Sequence, residues 1–283
     1  MNTDERIYEQ SGRFQVPYVQ TKEKAFLQLK AKIEAGNYPI QEDRRFRMQP
    51  IYRIGTAAAV ILLLFGIWLG FLFSPLTQVV ADRGQHMEMQ LPDGSKVTLN
   101  SESKISYRKK DFKTNRYLSM EGEAFFSVKK GQTFTIHTTY ADIQIIGTSF
   151  NVLARKNSFK VSCVTGKVKV FDPAHSVIIT PGESAEITDH NLLKFQDKNI
   201  SKISNWKMGE FSFEDANLTL IFNEIERQFN VTFATSMSLD NMHFTGSFSN
   251  KNLADALDIV CIPMGLTYEI GSNDKILIKE KKE

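Results

Sequence analysis

The feature that most constrains this chain is a run of twenty residues without a charged side chain, residues 54–73. At about 1.5 Å of rise per residue, a helix of this length spans the roughly 30 Å hydrocarbon layer of a bilayer. A buried helix of a soluble domain is the alternative interpretation, but such a helix usually keeps a polar stripe, and this run has none. About fifty mostly polar residues precede the run, which argues against a cleavable signal peptide. We therefore predict a single-pass membrane protein with its transmembrane helix at residues 53–74.

The charges around this run predict the orientation of the chain. Residues 1–53 hold ten Lys or Arg against seven Asp or Glu, so the whole formal charge of +3 lies before the run. The first basic residue after the run is Arg83. Four arginines stand close before it: Arg44, Arg45, Arg47 and Arg53. Because cytoplasmic flanks carry the excess of positive charge, we predict a cytoplasmic N terminus and an exported C-terminal part.

Gly66 and Gly70 form a GxxxG pattern inside the apolar run. Small residues four positions apart allow two transmembrane helices to approach closely. The pattern predicts a packing surface for a second helix at these two glycines, although it also arises often by chance.

The cytoplasmic segment, residues 1–52, is short for a core of its own. Its helical pattern covers residues 21–35, with Phe26, Leu29 and Ile33 on one face. An apolar stripe on a free segment is typical of a helix that binds in the groove of a partner protein. A tail that lies on the lipid surface is the alternative interpretation, since basic residues follow the stripe.

Residues 75–198 show short runs of alternating apolar and polar residues, separated by Gly, Asp and Asn. Met87 and Met89 lead to a turn at residues 92–95, after which Val97 and Leu99 resume the alternation, so we predict a hairpin there. About ten such strands indicate an all-β domain. The pattern leaves a solenoid, a sandwich and a barrel-like arrangement open.

The pattern changes after a polar stretch at residues 197–204, which we interpret as a linker. Residues 205–283 read as two successive halves in the order βαβ-βαββ, with helices predicted at 218–229 and 253–260. This order is typical of a small α+β domain. We expect Cys163 and Cys261, one in each domain, to be free and buried rather than joined by a disulfide bond.

Motifs of catalysis are missing from the sequence. It contains no HExxH, GxSxG, CxxC, GxGxxG or GxxxxGK[ST] pattern, and its five histidines have no ligand-like spacing. We therefore expect a binding protein rather than an enzyme, with no cofactor and no metal. A net charge of +3 over the whole chain gives no indication of direct nucleic-acid binding.

Five phrases of the β region resemble the FecR family of membrane-anchored anti-sigma regulators. In chain order they are residues 91–101 (LPDGSKVTLNS), 118–128 (LSMEGEAFFSV), 146–152 (IGTSFNV), 164–170 (VTGKVKV) and 181–183 (PGE). The region after residue 205 is similar to the C-terminal domain of FecR-like proteins and to the secretin and TonB short N-terminal domain. That similarity rests on FSF at 211–213, RQF at 227–229, FTGSF at 244–248 and AL at 256–257.

The resemblance implies a transducer in the bacterial inner membrane that holds an extracytoplasmic-function sigma factor inactive. A ligand-loaded TonB-dependent outer-membrane transporter would contact the α+β domain through its signalling domain, and envelope proteases would take part in sigma release. We expect Phe26, Leu29 and Ile33 to contact the sigma factor. The transporter contact is expected at four phenylalanines: Phe211, Phe213, Phe244 and Phe248. A membrane-tethered module that binds glycan or envelope components, with no sigma partner, is the alternative function.

Overall fold

A computed structural model of the chain describes residues 21–36, 51–72 and 75–281. The chain divides into two compact units, Met1–Phe65 and Gly66–Glu283. Helix α1 spans Lys22–Glu34 and has no buried residue, and helix α2 spans Ile51–Leu72. Counted over the described residues alone, no helix reaches the length and apolarity needed to cross a membrane.

Thirteen strands make up one sheet in residues 75–198 of the described chain. Their bounds are β1 Leu76–Ala81, β2 Met87–Gln90, β3 Lys96–Leu99, β4 Ser103–Arg108, β5 Arg116–Ser127, β6 Phe134–His137, β7 Asp142–Ile145, β8 Ser149–Arg155, β9 Ser158–Cys163, β10 Val168–Phe171, β11 Ser176–Ile179, β12 Glu183–Thr188 and β13 Asn191–Gln196. The predicted hairpin is confirmed, since β2 pairs with β3 and Met89 lies opposite Val97.

The long strand β5 joins two sets of strands. Its first half pairs with β4 and β6, and its second half pairs with β3 and β8. Gly122 lies at the change of partner with φ of +96°, and a Cβ there would stand 2.6 Å from Cα of Ser103. Only glycine allows both this backbone conformation and this close approach. In the sequence, the alternating runs at 117–120 and 124–128 predict two strands divided at Gly122, whereas the structure joins them in one strand.

The last strands of the two sets, β11 and β13, lie close to each other. One set runs from β5 through β6, β7 and β10 to β11, and the other runs through β8, β9 and β12 to β13. Nζ of Lys194 on β13 donates a hydrogen bond to the carbonyl oxygen of Ile178 on β11 at 3.0 Å and pairs with Glu183 at 2.8 Å. The sheet is therefore nearly closed and barrel-like, which decides between the three arrangements that the sequence left open.

Phenylalanine rings fill the interior of this sheet. Phe126 stacks on Phe150 with ring centroids 5.2 Å apart, and its edge also meets Phe134 at 6.3 Å. Phe112, from the loop after β4, meets Phe134 at 5.7 Å. All four side chains are fully buried, so they supply a large apolar area to the core.

The C-terminal part begins with two short 3-10 turns, Ile200–Lys202 and Asn205–Met208. Its helices are α3 (Leu218–Phe229) and α4 (Leu253–Cys261), close to the predicted ranges. Its strands are β14 Glu210–Asn217, β15 Thr232–Thr235, β16 His243–Ser249, β17 Leu266–Ile270 and β18 Lys275–Glu280.

In the C-terminal part, strands of one predicted half pair with strands of the other half. Strand β14 of the first half pairs with β16 of the second, and β15 pairs in parallel with β18, which also pairs with β17. Helix α3 carries the chain from the first sheet to the second, and Leu218, Ile221 and Ile225 on its inner face are fully buried. The region is a small α+β fold with one shared core rather than two independent βαβ halves.

The two cysteines are free thiols in different cores. Burial, with a smaller effect of Glu183, raises the pKa of Cys163 to about 11. Burial, with a smaller effect of Asp258, raises the pKa of Cys261 to about 12. Both side chains therefore stay protonated and poorly nucleophilic near neutral pH.

Candidate functional site

A group of polar side chains lies where the C-terminal part packs on the barrel-like sheet. We call this group the junction cluster; its members are Asn100, Glu123, Asn151, Trp206 and Gln228. All of them are buried except Glu123, which keeps a small exposed surface. Because a buried polar group is costly unless it is hydrogen-bonded, the partners of each member decide how firmly the two parts are held.

Strand order brings three members of the junction cluster together. Asn100 directly follows β3, Glu123 lies on β5 and Asn151 lies on β8. Strand β5 pairs with β3 on one side and with β8 on the other, so Glu123 lies between the two asparagines. The backbone N–H of Asn100 also donates to the carbonyl oxygen of Glu123 at 2.9 Å.

One chain of hydrogen bonds runs through the cluster. Nε1 of Trp206 donates to Oδ1 of Asn151 at 3.1 Å, and Nδ2 of Asn151 donates to Oε1 of Glu123 at 2.8 Å. On the other side, Nε2 of Gln228 donates to Oδ1 of Asn100, and Nδ2 of Asn100 donates to Oε2 of Glu123, both at 2.8 Å. Each carboxylate oxygen of Glu123 therefore accepts a hydrogen bond from one asparagine amide. The series of hydrogen bonds joins the C-terminal part to the sheet at two points, Trp206 and Gln228.

The amide of Gln228 is hydrogen-bonded on both atoms. Its Nε2 also donates to Oε1 of Glu224 at 2.8 Å, one turn earlier on α3. Its Oε1 accepts from Oγ of Ser101 at 3.3 Å and lies 2.9 Å from Nε2 of His86. One helix residue thus contacts the loop before β2 and the turn after β3 at the same time.

A backbone contact lies beside this amide. The N–H of Gly84 donates to the carbonyl oxygen of Arg227 at 2.7 Å, close to the end of α3. The Arg227 side chain folds back on its own helix, where Nη2 pairs with Oε2 of Glu224 at 2.7 Å. The Gly84 hydrogen bond and the contact of His86 with Gln228 therefore join this turn to the end of α3 through both main chain and side chains.

The electrostatics of the junction centre on Glu123. Burial raises the pKa of its carboxyl group, and the Glu224 carboxylate raises it further, whereas Arg155 and the two asparagine amides act in the opposite direction. Burial also lowers the pKa of Arg155, whose Nη1 and Nη2 donate to the carbonyl oxygens of Glu102 and Ser101. Nε of Arg155 is buried and has no hydrogen-bond partner. A buried charge with an unsatisfied donor is a weak point in an interface.

Aromatic contacts surround the polar centre. The His86 ring meets the Trp206 indole edge-on at 5.5 Å between centroids. Phe125, on β5, packs against the C-terminal core, and Nζ of Lys207 lies 3.8 Å from the centroid of its ring. A cation over an aromatic face contributes about 0.5–1 kcal/mol at an exposed site.

The arrangement is suited to holding two parts in one relative orientation. Its hydrogen bonds are directional, and its polar groups would be hydrated if the parts separated, so the junction resembles a reversible interface more than a continuous apolar core. In the part of the chain that the structure describes, no group of three or more His, Cys, Asp or Glu side chains is placed to hold a metal ion.

The residues predicted from the sequence to contact the sigma factor lie on α1. Phe26, Leu29 and Ile33 are 68%, 60% and 50% exposed, respectively. These exposures leave the three side chains accessible to a partner, and their role in sigma binding stays a prediction. Gly66 and Gly70 lie on α2, and apart from their chain neighbours and the backbone of α2 itself, no described atom comes within 4 Å of where a Cβ would stand on either. Packing of a second helix there stays a prediction.

The residues predicted to contact the transporter lie in and around the C-terminal core. Phe211, Phe244 and Phe248 are buried, and Phe213 packs partly buried beside them. Phe248 stacks on Phe211 at 5.2 Å and on Phe213 at 5.7 Å. In this structure the four rings stabilise the β14–β16 sheet, and their contact with a partner stays a prediction.

The sequence alone does not single out the junction cluster as a site. Asn100, Glu123 and Asn151 belong to the phrases that carried the family resemblance, and Gln228 belongs to RQF. One signal was available: Asn151 stands in an apolar strand between Phe150 and Val152, where an amide needs a buried partner. The partner itself comes from the other end of the chain, which no local pattern indicates.

Two family models match this chain. The model described as FecR protein matches residues 77–169, and the model described as FecR, C-terminal, matches residues 210–278. Together they account for more than half of the chain. The chain belongs to the FecR family. This family is of the regulatory, anti-sigma type and is not a known class of enzyme.

Solved structures resemble this FecR-family chain over most of its length. Two crystal structures of a proposed anti-sigma factor from Parabacteroides distasonis match with TM-scores of 0.68 and 0.67, each at 28% sequence identity. The matches cover 74% and 73% of this chain and 100% of each solved chain. No protein of curated function matches the sequence.

The matched regions give the junction cluster its place in the FecR architecture. Asn100, Glu123 and Asn151 lie within the first model and Gln228 lies within the second, whereas Trp206 lies between them. The cluster therefore joins the two matched domains of this chain.

Proposed function

We propose that this FecR-family protein is an anti-sigma factor that sequesters an extracytoplasmic-function sigma factor through its N-terminal segment. Release would follow when a ligand-loaded TonB-dependent outer-membrane transporter contacts the exported part, so that nutrient-uptake genes are transcribed. The observation that carries the proposal is the presence of both FecR domains in one compact unit, preceded by a helix with no buried residue.

Helix α1 has the properties of a segment that binds a partner. It has thirteen residues, and an isolated helix of this length is marginal in water, so contact with a partner groove would stabilise it. Phe26, Leu29 and Ile33 lie within about 60° of one another around the helix, whereas Leu27 lies on another face. A sigma factor with an apolar groove fits this narrow stripe.

The proposed location is the bacterial inner membrane, with the N terminus in the cytoplasm. Support comes from the uncharged run at residues 54–73 and from the arginines that precede it. In α2, the large apolar side chains from Val60 to Ile67 are each at least 53% exposed. Such a continuous apolar surface on all faces of a helix is suited to lipid rather than to water.

The transporter contact is proposed at the β14–β16 sheet. Within the described residues, these two strands pair only with each other, so each leaves one edge of backbone donors and acceptors unpaired. A strand of the transporter's signalling domain could add to either edge. The junction cluster would pass the effect of this contact from the C-terminal part to the barrel-like sheet, and proteolysis by envelope proteases would make release irreversible.

The first test is capture of candidate sigma factors from the same genome by the full-length chain in detergent. A double variant, Phe26→Ala with Leu29→Ala, removes the stripe. The control, Leu27→Ala with Gln28→Ala, removes the same number of side chains from other positions of the same helix. We expect stoichiometric capture by the wild type and the control and loss in the stripe variant. Absence of capture by the wild type would remove the anti-sigma proposal and favour a tethered envelope-binding module.

A further inference from the structure

One end of the barrel-like sheet lies next to the end of α2. Only three residues separate Leu72, the last residue of α2, from Leu76, the first residue of β1. Four residue steps reach at most about 14 Å. Leu76 pairs with Arg108 at the end of β4, so Arg108 and the loop that follows it lie close to the point where the chain leaves the apolar helix.

Two loops bring basic side chains to this end. Strands β4 and β5 are antiparallel, and β5 and β6 start side by side, so the loops at 109–115 and 128–133 meet there. We call the exposed basic residues of this end the basic end: Arg108, Lys109, Lys110, Lys113, Lys129 and Lys130. Lys113, Lys129 and Lys130 line one shallow cleft.

A buried ion pair engages Asp93, the acidic residue that lines the same cleft as Lys113, Lys129 and Lys130. Nη2 of Arg116 lies 2.6 Å from Oδ2 of Asp93, and both side chains are at most 7% exposed. The same guanidinium donates to the carbonyl oxygens of Lys129 at 2.7 Å and Gln132 at 2.6 Å. Arg116 therefore neutralises Asp93 and fixes the loop that carries Lys129 and Lys130. The loops at 109–115 and 128–133 contain one acidic residue, Asp111.

Exposed apolar side chains stand beside the basic end. Leu76 is 63% exposed and Ile146 is 59% exposed. Ile146 precedes Gly147, where a Cβ would stand only 2.7 Å from Cα of Lys130, so the turn at Ile146 packs directly on the basic loop. Lysines mixed with exposed apolar residues are the chemistry of proteins that bind a lipid surface.

We propose that the basic end binds the anionic phospholipid headgroups of the bilayer in which α2 is anchored. The inference rests on the proposed membrane anchor, since that anchor places the basic end within reach of the headgroups. Charges on two loops with exposed apolar residues beside them fit an extended surface better than they fit a single small anion. Binding would fix the orientation of the barrel-like sheet, and with it the C-terminal part, relative to the membrane.

The test uses residues 75–283 alone, since both hydrophobic cores lie within this range and the solved relatives are matched over their whole length by 74% of this chain. Co-sedimentation is measured with phosphatidylcholine vesicles and with vesicles containing about one third phosphatidylglycerol. A variant replaces four lysines of the basic end: Lys109→Gln, Lys113→Gln, Lys129→Gln and Lys130→Gln. A control variant makes the same charge change in and near the C-terminal part: Lys202→Gln, Lys251→Gln, Lys275→Gln and Lys281→Gln.

We expect the wild type and the control to bind the anionic vesicles and not the neutral ones. Each lysine near an anionic surface contributes about fivefold in affinity, so the basic-end variant should bind on the order of several hundredfold more weakly. Equal binding of the wild type to neutral and anionic vesicles would overturn the proposal. So would equal binding of the two variants, or retention on peptidoglycan in place of vesicles.

The outcome is separable from that of the proposed function. No sigma factor takes part in the vesicle assay, so a failed sigma capture leaves its result unchanged. A failed membrane anchor would appear in a different measurement, as recovery of the full-length chain in the soluble fraction of cells.

Discussion

The indole N–H of Trp206 donates a 3.1 Å hydrogen bond to Oδ1 of Asn151, from the turn that precedes β14 to the middle of strand β8. Both side chains are buried, so neither group can exchange this bond for one with water. Asn151 in turn donates to Glu123, which makes the indole the first donor of the junction cluster. Any movement of the C-terminal part that displaces Trp206 therefore disturbs the interior of the sheet.

Replacing this donor tests how much the junction contributes to stability. Trp206→Phe keeps a large aromatic ring and leaves Oδ1 of Asn151 buried without its donor. We expect the free energy of unfolding of residues 75–283 to fall by about 1–3 kcal/mol, measured by urea denaturation. The control is Tyr268→Phe, which removes a hydroxyl that donates to Asp258 at an exposed site, and its effect should stay within about 0.5 kcal/mol. Equal effects would show that the junction bond contributes no more than a surface bond.

The raised pKa of Glu123 predicts how the stability of the junction depends on pH. Burial is the main cause of this shift, and the Glu224 carboxylate adds to it. A carboxyl group with a folded pKa above its ordinary value of 4.5 binds its proton more tightly in the folded state. The contribution of protonated Glu123 to the free energy of unfolding is therefore complete below pH 4.5 and is lost as the pH rises through the folded pKa.

The test is Glu123→Gln, which keeps the shape of the side chain and removes the titration. Comparing unfolding at about pH 5 and about pH 8, we expect the wild type to lose stability relative to the variant as the pH rises. A wild type that gains stability relative to the variant over the same interval would contradict the assigned direction of the pKa shift.

Glu183 should show the opposite dependence. Hydrogen bonds from Lys194, and from the hydroxyl and N–H of Thr180, lower its pKa from 4.5 to about 2. Its contribution is present above pH 4.5 and is lost as the pH falls towards about 2. We expect Glu183→Gln to lower the denaturation midpoint near neutral pH and to have little effect at the acid limit. In a Lys194→Met background the effect of Glu183→Gln near neutral pH should be smaller, because the two groups share one contact between β12 and β13.

Local patterns were sufficient to predict most elements of the fold. The hairpin at Met89 and Val97 and the helix 218–229 depend on alternation and on helical spacing within about a dozen residues, and the structure has both. The near closure of the sheet was beyond such patterns, because it depends on Lys194 meeting the backbone of Ile178 from another strand. The single strand β5 was also missed, since its continuity requires the left-handed backbone of Gly122 rather than a break there.

The candidate site was less predictable than the fold. Gln228 and Asn100 are 128 positions apart in the sequence and 2.8 Å apart in space, and only the packing of two domains brings them together. Phe248, an aromatic residue of the FTGSF motif, is expected to contact a partner; its side chain is buried in this structure, and that contact stays a prediction. Aromatic residues contribute to cores and to interfaces, so the motif by itself does not distinguish the two roles.

Phe248→Ala separates a core role from a contact role. The ring is 1% exposed and stacks on Phe211 and Phe213, so we expect its removal to reduce the free energy of unfolding by about 3–5 kcal/mol. Ile262→Ala is the control, because that side chain is 63% exposed and its loss should cost no more than about 0.5 kcal/mol. A Phe248→Ala variant with normal stability and no response to the transporter would indicate a contact role.

Two residues on opposite sides of the junction are close enough for an engineered disulfide bond. A Cβ built on Gly84 would stand 3.9 Å from Cβ of Asn230, within the range of about 3.5–4.5 Å found in disulfides. Both positions have a positive φ, +74° and 53°, so each cysteine costs on the order of 1 kcal/mol of strain. The native thiols of Cys163 and Cys261 are buried, and their raised pKa values keep them from competing.

The double variant Gly84→Cys with Asn230→Cys should therefore cross-link under mild oxidation, seen as a mobility shift on a non-reducing gel, whereas neither single variant should shift. If opening of the junction carries the signal to the sigma factor, cross-linked protein will bind sigma but will not release it when the transporter is loaded. Addition of a reductant should then restore release to the level of the single variants. Normal release from fully cross-linked protein would show that the junction stays closed during signalling and that the two domains move as one body.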